Sequence, residues 1–143
     1  MAQAILEGYR VLDLSQVVAG PSVTRMMAEM GAEVIKIEIA PHGDLAHQLP
    51  YISNGRSAYY VQQNRGKKSL CLDVKSDQGR KILLDLASQV DVLVEAFSPG
   101  AIGRLGLGYD VVSKLNPDLV MCSISAFGQS GPQAQMPGYD YIA

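Results

Sequence analysis

The sequence predicts an α/β fold: a Rossmann-like open parallel sheet with flanking helices, filling residues 1–143. Three observations predict it. Five short runs are nearly continuous Val, Ile and Leu, as strands buried on both faces require. Segments of helical period alternate with these runs. The first strand–helix–strand unit closes within residues 10–38, which suits a parallel crossover.

Residues 10–14 read as the first strand. Ala19-Gly20-Pro21 then turns the chain, with Pro21 suited to the first helical position. Val23, Met26, Met27 and Met30 recur on one helical face, and Gly31 is placed to stop that helix. Residues 33–38 form the second strand. Residues 39–57 read as a long irregular stretch with Pro41, Gly43, Pro50, Asn54 and Gly55, and loops of that length are usually functional or lid-like. Residues 69–74 are the third strand. Ser76 or Asp77 then caps a helix whose Ile82, Leu83, Leu86 and Val90 share a face. The fourth strand, 91–97, ends at Ser98-Pro99-Gly100. Short helical pieces near 103–105 and 111–115 lead to Pro117 and the fifth strand, 119–125. Ligands of such sheets sit at the carboxyl ends of the strands, so loops 15–20, 39–44, 74–76, 97–104 and 126–140 are the candidate segments.

Composition narrows the function classes. With 48% hydrophobic residues the chain can bury a core. Twelve Lys plus Arg against fourteen Asp plus Glu, a net charge of −2, excludes a uniformly basic surface for polyanions. Tyr59-Tyr60 have no aromatic comb beside them, so nucleic acid is not an expected partner. No run approaches the roughly 18 apolar residues that span a bilayer. No basic region followed by an apolar stretch opens the chain, so a soluble cytoplasmic protein is expected. Cys71 and Cys122 lie in apolar runs and read as core filler. His42, His47 and Asp44 lack the further ligands of a metal site, so no metal is expected. Neither a GxGxxG or P-loop spacing nor a GxSxG elbow is present.

Four features could carry chemistry. Residues 15–21 lead into a helix N-terminus, which is an anion site or a plain turn. Arg65, Lys67 and Lys68, with Lys75 nearby, are the densest positive patch, suited to a phosphate-bearing cofactor or to a solvated turn. Arg104, soon after Pro99-Gly100, can fork a phosphate or carboxylate, or pair with Asp110 or Glu95. Gly128-Gln129-Ser130-Gly131-Pro132 permits close backbone approach or makes a turn. The segment 138–143 reads as a helix cut short after one turn, so a truncated chain is expected.

Taken in order, these segments resemble the N-terminal part of the family III CoA-transferases, the group that includes formyl-CoA and carnitine CoA-transferases and the α-methylacyl-CoA racemases. The matching pieces begin with Arg10-Val11-Leu12-Asp13-Leu14-Ser15, Ala19-Gly20-Pro21 and Gly31-Ala32-Glu33-Val34-Ile35-Lys36-Ile37-Glu38. Asn64-Arg65-Gly66-Lys67-Lys68-Ser69, Leu72-Asp73-Val74-Lys75 and Asp91-Val92-Leu93-Val94-Glu95 follow. Pro99-Gly100, Arg104-Leu105-Gly106, Asn116-Pro117, Phe127-Gly128-Gln129-Ser130-Gly131-Pro132 and Pro137-Gly138-Tyr139-Asp140 complete the set.

The resemblance implies an enzyme that moves CoA from an acyl-CoA donor to a carboxylic acid through an aspartyl-CoA thioester, with coenzyme A as substrate and no metal. It implies an interlocked homodimer and a nucleophilic Asp beyond Ala143, so that residues 1–143 alone are an inactive N-terminal CoA-binding part. It assigns CoA contacts to Val17, Val18 and Ala19, to Leu72 and Lys75, and to Phe97, Ala101 and Arg104. Tyr59 and Tyr139 match tyrosines facing the reacting thioester, where a phenol can hydrogen-bond an oxyanion. The sequence departs from residues common in the family at Ile39, where Arg or Pro is frequent, and at Ala96, where Asn is, and some transferases carry Gln at the Val18 position. Tyr139 stands where the racemases carry His, and a phenol is a poor base at neutral pH, which favours the transferase branch. The other readings are a racemase, a stand-alone CoA- or nucleotide-binding module, and an inactive truncation product.

Overall fold

The structure, a computed structural model, describes residues 3–139. The segment 140–143, where the sequence suggests a new helix, lies outside them. The elements run β1 (Arg10–Asp13), α1 (Ala19–Glu29), β2 (Glu33–Ile39), a 3-10 turn (Leu45–Gln48), β3 (Ile52–Ser53), β4 (Arg56–Ser57) and α2 (Ala58–Asn64). β5 (Lys68–Leu72), α3 (Asp77–Ala87), β6 (Val92–Glu95), α4 (Ala101–Arg104), α5 (Tyr109–Leu115) and β7 (Val120–Ser123) follow.

Five strands form one parallel sheet in the order β5-β2-β1-β6-β7, and β3 and β4 make a separate hairpin. The predicted Rossmann-like α/β arrangement is therefore present. From β1 the chain winds outward through β2 to β5, then returns to β1's other side and winds through β6 to β7. The winding reverses between β1 and β6, and in open sheets the crevice outside that point receives ligands.

Alternation along the strands divides the interior. Leu12, Leu14, Ile37 and Leu93 face a large cluster with Leu83 and Ala87 of α3, Ile102 of α4 and Val112 of α5. Val11, Val34 and Val94 face a smaller cluster with Met27 and Ala28 of α1. A period of two puts Asp13, Lys36 and Glu38 on the α1 side too, further along the strands. That face is thus apolar near the strand starts and charged at the carboxyl ends.

Pro21 is the third residue of α1, not the first, although a proline is tolerated anywhere in a first turn whose N–H groups lack helical partners. Residues 39–57 are not wholly irregular: they contain the 3-10 turn and the hairpin, and α2 follows at once. The seven residues of α2, with Tyr59, Tyr60 and Val61 among them, have little intrinsic helix preference. The Ser57 hydroxyl, which accepts the Tyr60 N–H at 3.4 Å, and packing against α1 hold that helix. Cys71 is not core filler but exposed, because β5 is an edge strand. Cys122 is half-buried against the smaller cluster. Ser76 caps α3, its hydroxyl accepting the Gly79 N–H at 3.0 Å. No helix among the described residues is long and apolar enough to cross a membrane.

Candidate CoA site at the strand ends

The loop leaving β1 is held in an unusual conformation. Val17 has φ 67°, a left-handed backbone that a β-branched residue rarely adopts. Its N–H donates to Asp44 Oδ1 at 2.9 Å, and Asp44 Oδ2 accepts from Lys36 Nζ at 2.8 Å. Lys36 Nζ also donates to the Ser15 carbonyl. One buried ion pair, with side chains 1% and 0% exposed, therefore grips the loop at Ser15 and Val17.

A second pair lies beside it. Asp13, the cross-strand partner of Lys36, accepts the Lys67 ammonium at 2.9 Å and the Thr24 hydroxyl at 2.7 Å. Its other oxygen accepts from the Ser15 N–H at 3.0 Å and from the Ser15 hydroxyl. Lys67 completes its shell with the Pro21 carbonyl and Asn64 Oδ1, each at 2.9 Å. Two lysines and two aspartates thus neutralise one another with their hydrogen-bonding groups satisfied, the condition under which buried charge is tolerable. Burial alone would raise the Asp13 carboxyl, but Lys36, Lys67 and the two hydroxyls outweigh it and hold it below the usual carboxylate range. Lys67 is pulled below the ordinary lysine value because desolvation exceeds the attraction of Asp13.

Glu38 extends the network outward. It accepts the Asp44 N–H at 2.6 Å and the Tyr60 hydroxyl, and His47 stacks on the Tyr60 ring with centroids 3.7 Å apart. Burial, reinforced by the Glu38 carboxylate, pushes the Tyr60 phenol well above its ordinary 10.0. A raised folded-state value contributes stability that is full below pH 10.0 and declines as pH rises and the unfolded chain ionises. Tyr60→Phe should therefore flatten the alkaline fall in stability, as read by urea denaturation from pH 9 to 11; an unchanged slope would refute this.

The structure gathers most of the expected CoA residues on one sheet edge. Val18 caps α1 and Ala19 begins it, directly beyond Val17. Across the winding reversal, the Phe97 N–H donates to Glu95 Oε2 at 2.8 Å, Ala101 opens α4 and Arg104 ends it. Leu72 ends β5, its carbonyl accepting the Ala40 N–H at 2.9 Å, and exposed Lys75 follows two strands away from β1. Phe97 and Tyr139 line a cleft of about 240 Å³ between the loops after β6 and β7. Tyr59 stands on α2 instead and does not line that cleft.

The positive patch divides. Lys67 is sealed against Asp13 and is neither a phosphate site nor a solvated turn, whereas Arg65 and Lys68 stand in solvent, paired with Glu29 and Glu33. Lys75 and Arg104 make no ion pair among the described residues, Arg104 joining neither Asp110 nor Glu95. The network itself is not among the candidate features of the sequence. Its signal is a charge at an inward position of an apolar strand: Asp13 in Val-Leu-Asp-Leu and Lys36 in Val-Ile-Lys-Ile. Among the described residues no group of His, Cys, Asp or Glu is arranged to hold a metal ion.

Comparison with known proteins agrees with this architecture. The family model for CoA-transferase family III matches residues 6–143. Succinyl-CoA:glutarate CoA-transferase of Mus musculus is 42% identical over 139 residues, covering 96% of this chain and 32% of that protein. Formyl-CoA:oxalate CoA-transferase of Streptomyces coelicolor is 42% identical over 144 residues, covering 100% of this chain and 35% of that protein. A crystal structure of a CAIB/BAIF family protein from Brucella suis superposes with a TM-score of 0.91 at 34% identity, covering 99% of this chain and 38% of that one. The chain spans about a third of the length of the curated relatives it matches. With the matched region, the fold and the identity in agreement, the chain belongs to CoA-transferase family III.

Proposed function

We propose that the protein transfers CoA from an acyl-CoA donor to a carboxylic acid, and that residues 1–143 form its CoA-binding part. The observation that carries this reading is the winding reversal: β1 and β6 are neighbours, so loop 15–19 with α1 and the Pro99-Gly100 turn with α4 leave the same end of the sheet from adjacent strands, where open sheets receive ligands. Val17, Val18 and Ala19 line the crevice from β1, and Phe97, Ala101 and Arg104 line it from β6. Leu72 and Lys75 extend it toward the nucleotide end. Tyr139 and Tyr59 are the phenols available to hydrogen-bond the thioester oxygen as charge develops on it.

The chemistry is covalent exchange. An aspartate outside residues 1–143 attacks the donor thioester carbonyl, forming a mixed anhydride and expelling the CoA thiolate. The thiolate then attacks the aspartyl carbonyl of the anhydride, which gives the aspartyl-CoA thioester and releases the donor acid. The acceptor carboxylate attacks the thioester carbonyl, expelling the CoA thiolate and forming a second mixed anhydride, and the thiolate then attacks the acceptor carbonyl, giving acceptor-CoA and restoring the aspartate. Related enzymes named for glutarate and oxalate make a dicarboxylic acid the first acceptor to try. As in the family generally, the working unit is taken to be an interlocked homodimer.

The test is the whole protein with succinyl-CoA and glutarate, or formyl-CoA and oxalate, with products separated by chromatography. New acyl-CoA with parallel-line initial-rate plots is expected; free CoA alone would overturn the transferase reading. Arg104→Ala should weaken CoA binding roughly tenfold or more, as loss of a charged hydrogen bond does. Unchanged affinity would remove Arg104 from the site.

A further inference from the structure

The cations of this chain fall into two groups. Arg10, Lys36, Arg65, Lys67, Lys68 and Lys81 are in ion pairs. Among those with no ion pair in the described residues, Lys75, Arg80 and Arg104 come from segments at the carboxyl edge of the sheet: the turn after β5, the opening of α3, and α4 after β6. Only Lys75 and Arg104 were expected to bind there.

Arg80 is placed by a glycine. Gly106 has φ +73°, and a Cβ on it would come within 2.5 to 2.6 Å of the Arg80 guanidinium. The guanidinium therefore lies against bare backbone just past the end of α4. Arg104 makes a looser version of the same contact, since a Cβ on Gly100 would lie 3.3 Å from its Nη1. The two guanidinium groups bracket α4, from residue 100 to residue 106. Among the described residues no carboxylate pairs with these three cations: Asp73 accepts the Lys75 backbone N–H at 3.0 Å, and Asp77 occupies the first turn of α3.

We infer that Arg80, in the first turns of α3 just after the Lys75 turn, binds the 3′-phosphate of the CoA nucleotide, leaving Arg104 for the diphosphate. The inference rests on the CoA reading above. A planar fork laid on a glycine backbone is oriented before the ligand arrives, so less side-chain freedom is lost on binding.

The test is calorimetric titration of the whole protein with CoA and with dephospho-CoA, which lacks only the 3′-phosphate. Arg80→Gln should weaken CoA binding at least tenfold, leave dephospho-CoA unchanged and keep the wild-type melting temperature, while Arg80→Lys recovers part of the loss. Equal weakening toward both ligands, or toward neither, would overturn the assignment. Wild-type protein that binds neither ligand would instead overturn the CoA reading itself.

Discussion

Lys67→Met is expected to lower stability by about 3 kcal/mol at neutral pH, within the roughly 3–5 kcal/mol cost of removing one partner of a buried ion pair. The pair is desolvated, with side chains 1% and 0% exposed. Removing the ammonium also strips a donor from the Pro21 carbonyl and Asn64 Oδ1. The low end of the range applies because Lys36, Ser15 and Thr24 still attend Asp13. The pH dependence identifies the cause. Asp13 has a lowered value in the folded protein, so its contribution is full above the unfolded carboxylate value near 3.9 and is lost as pH falls through the folded one. In the variant that contribution is reduced, and the gap to wild type should close toward acid. Urea denaturation at several pH values reads it. A gap that stays constant with pH would assign the effect to lost packing of the lysine stem. Adding Asp13→Asn to Lys67→Met should recover part of the loss, since no uncompensated charge then remains buried.

Gly20→Ala is expected to damage the site as well as the fold. A Cβ there would stand 2.1 Å from Ser15 Cβ and 2.2 Å from its Oγ. Ser15 has no room to retreat, because its hydroxyl and N–H are bound to Asp13 and its carbonyl to Lys36. Either α1 or the loop leaving β1 must shift. Overpacking of this kind costs about 1–3 kcal/mol. If the loop lines the CoA crevice, a displacement near 1 Å costs roughly a hundredfold in turnover. Ser15→Gly in the same chain removes both clashing atoms and should restore much of the activity, though not the Asp13 hydrogen bonds. Failure of that second change to restore anything would mean that Gly20 is needed for another reason. Melting temperature and transferase rate, measured together on the single and double variants, separate the two contributions.

What the sequence determined by itself is the architecture. Runs such as Val34-Ile35 and Leu93-Val94, separated by the helical period around Met26 and Leu83, can bury their apolar surface only as a sheet layered with helices. The order of motifs also determined the family, which the matched region then established. Hydrophobic pattern and short-range spacing are local properties, and these conclusions required nothing else.

Only the tertiary structure decided which charges are free. Lys67 and Lys75 are both lysines flanking β5, yet one is sealed against Asp13 and the other stands unpaired in solvent. The difference arises from contacts across 54 residues of chain, with α1 and α2 closing over the first lysine and nothing covering the second. Likewise Arg80 gains its place only because Gly106, distant in sequence, leaves backbone bare beside it. Helix α2 was hidden for the same reason: its residues have weak local preference, and burial against α1 supplies what the sequence does not. Periodicity records which face of an element is covered. The partner of a buried charge depends on where other elements come to rest, and that is settled only when the sheet is assembled.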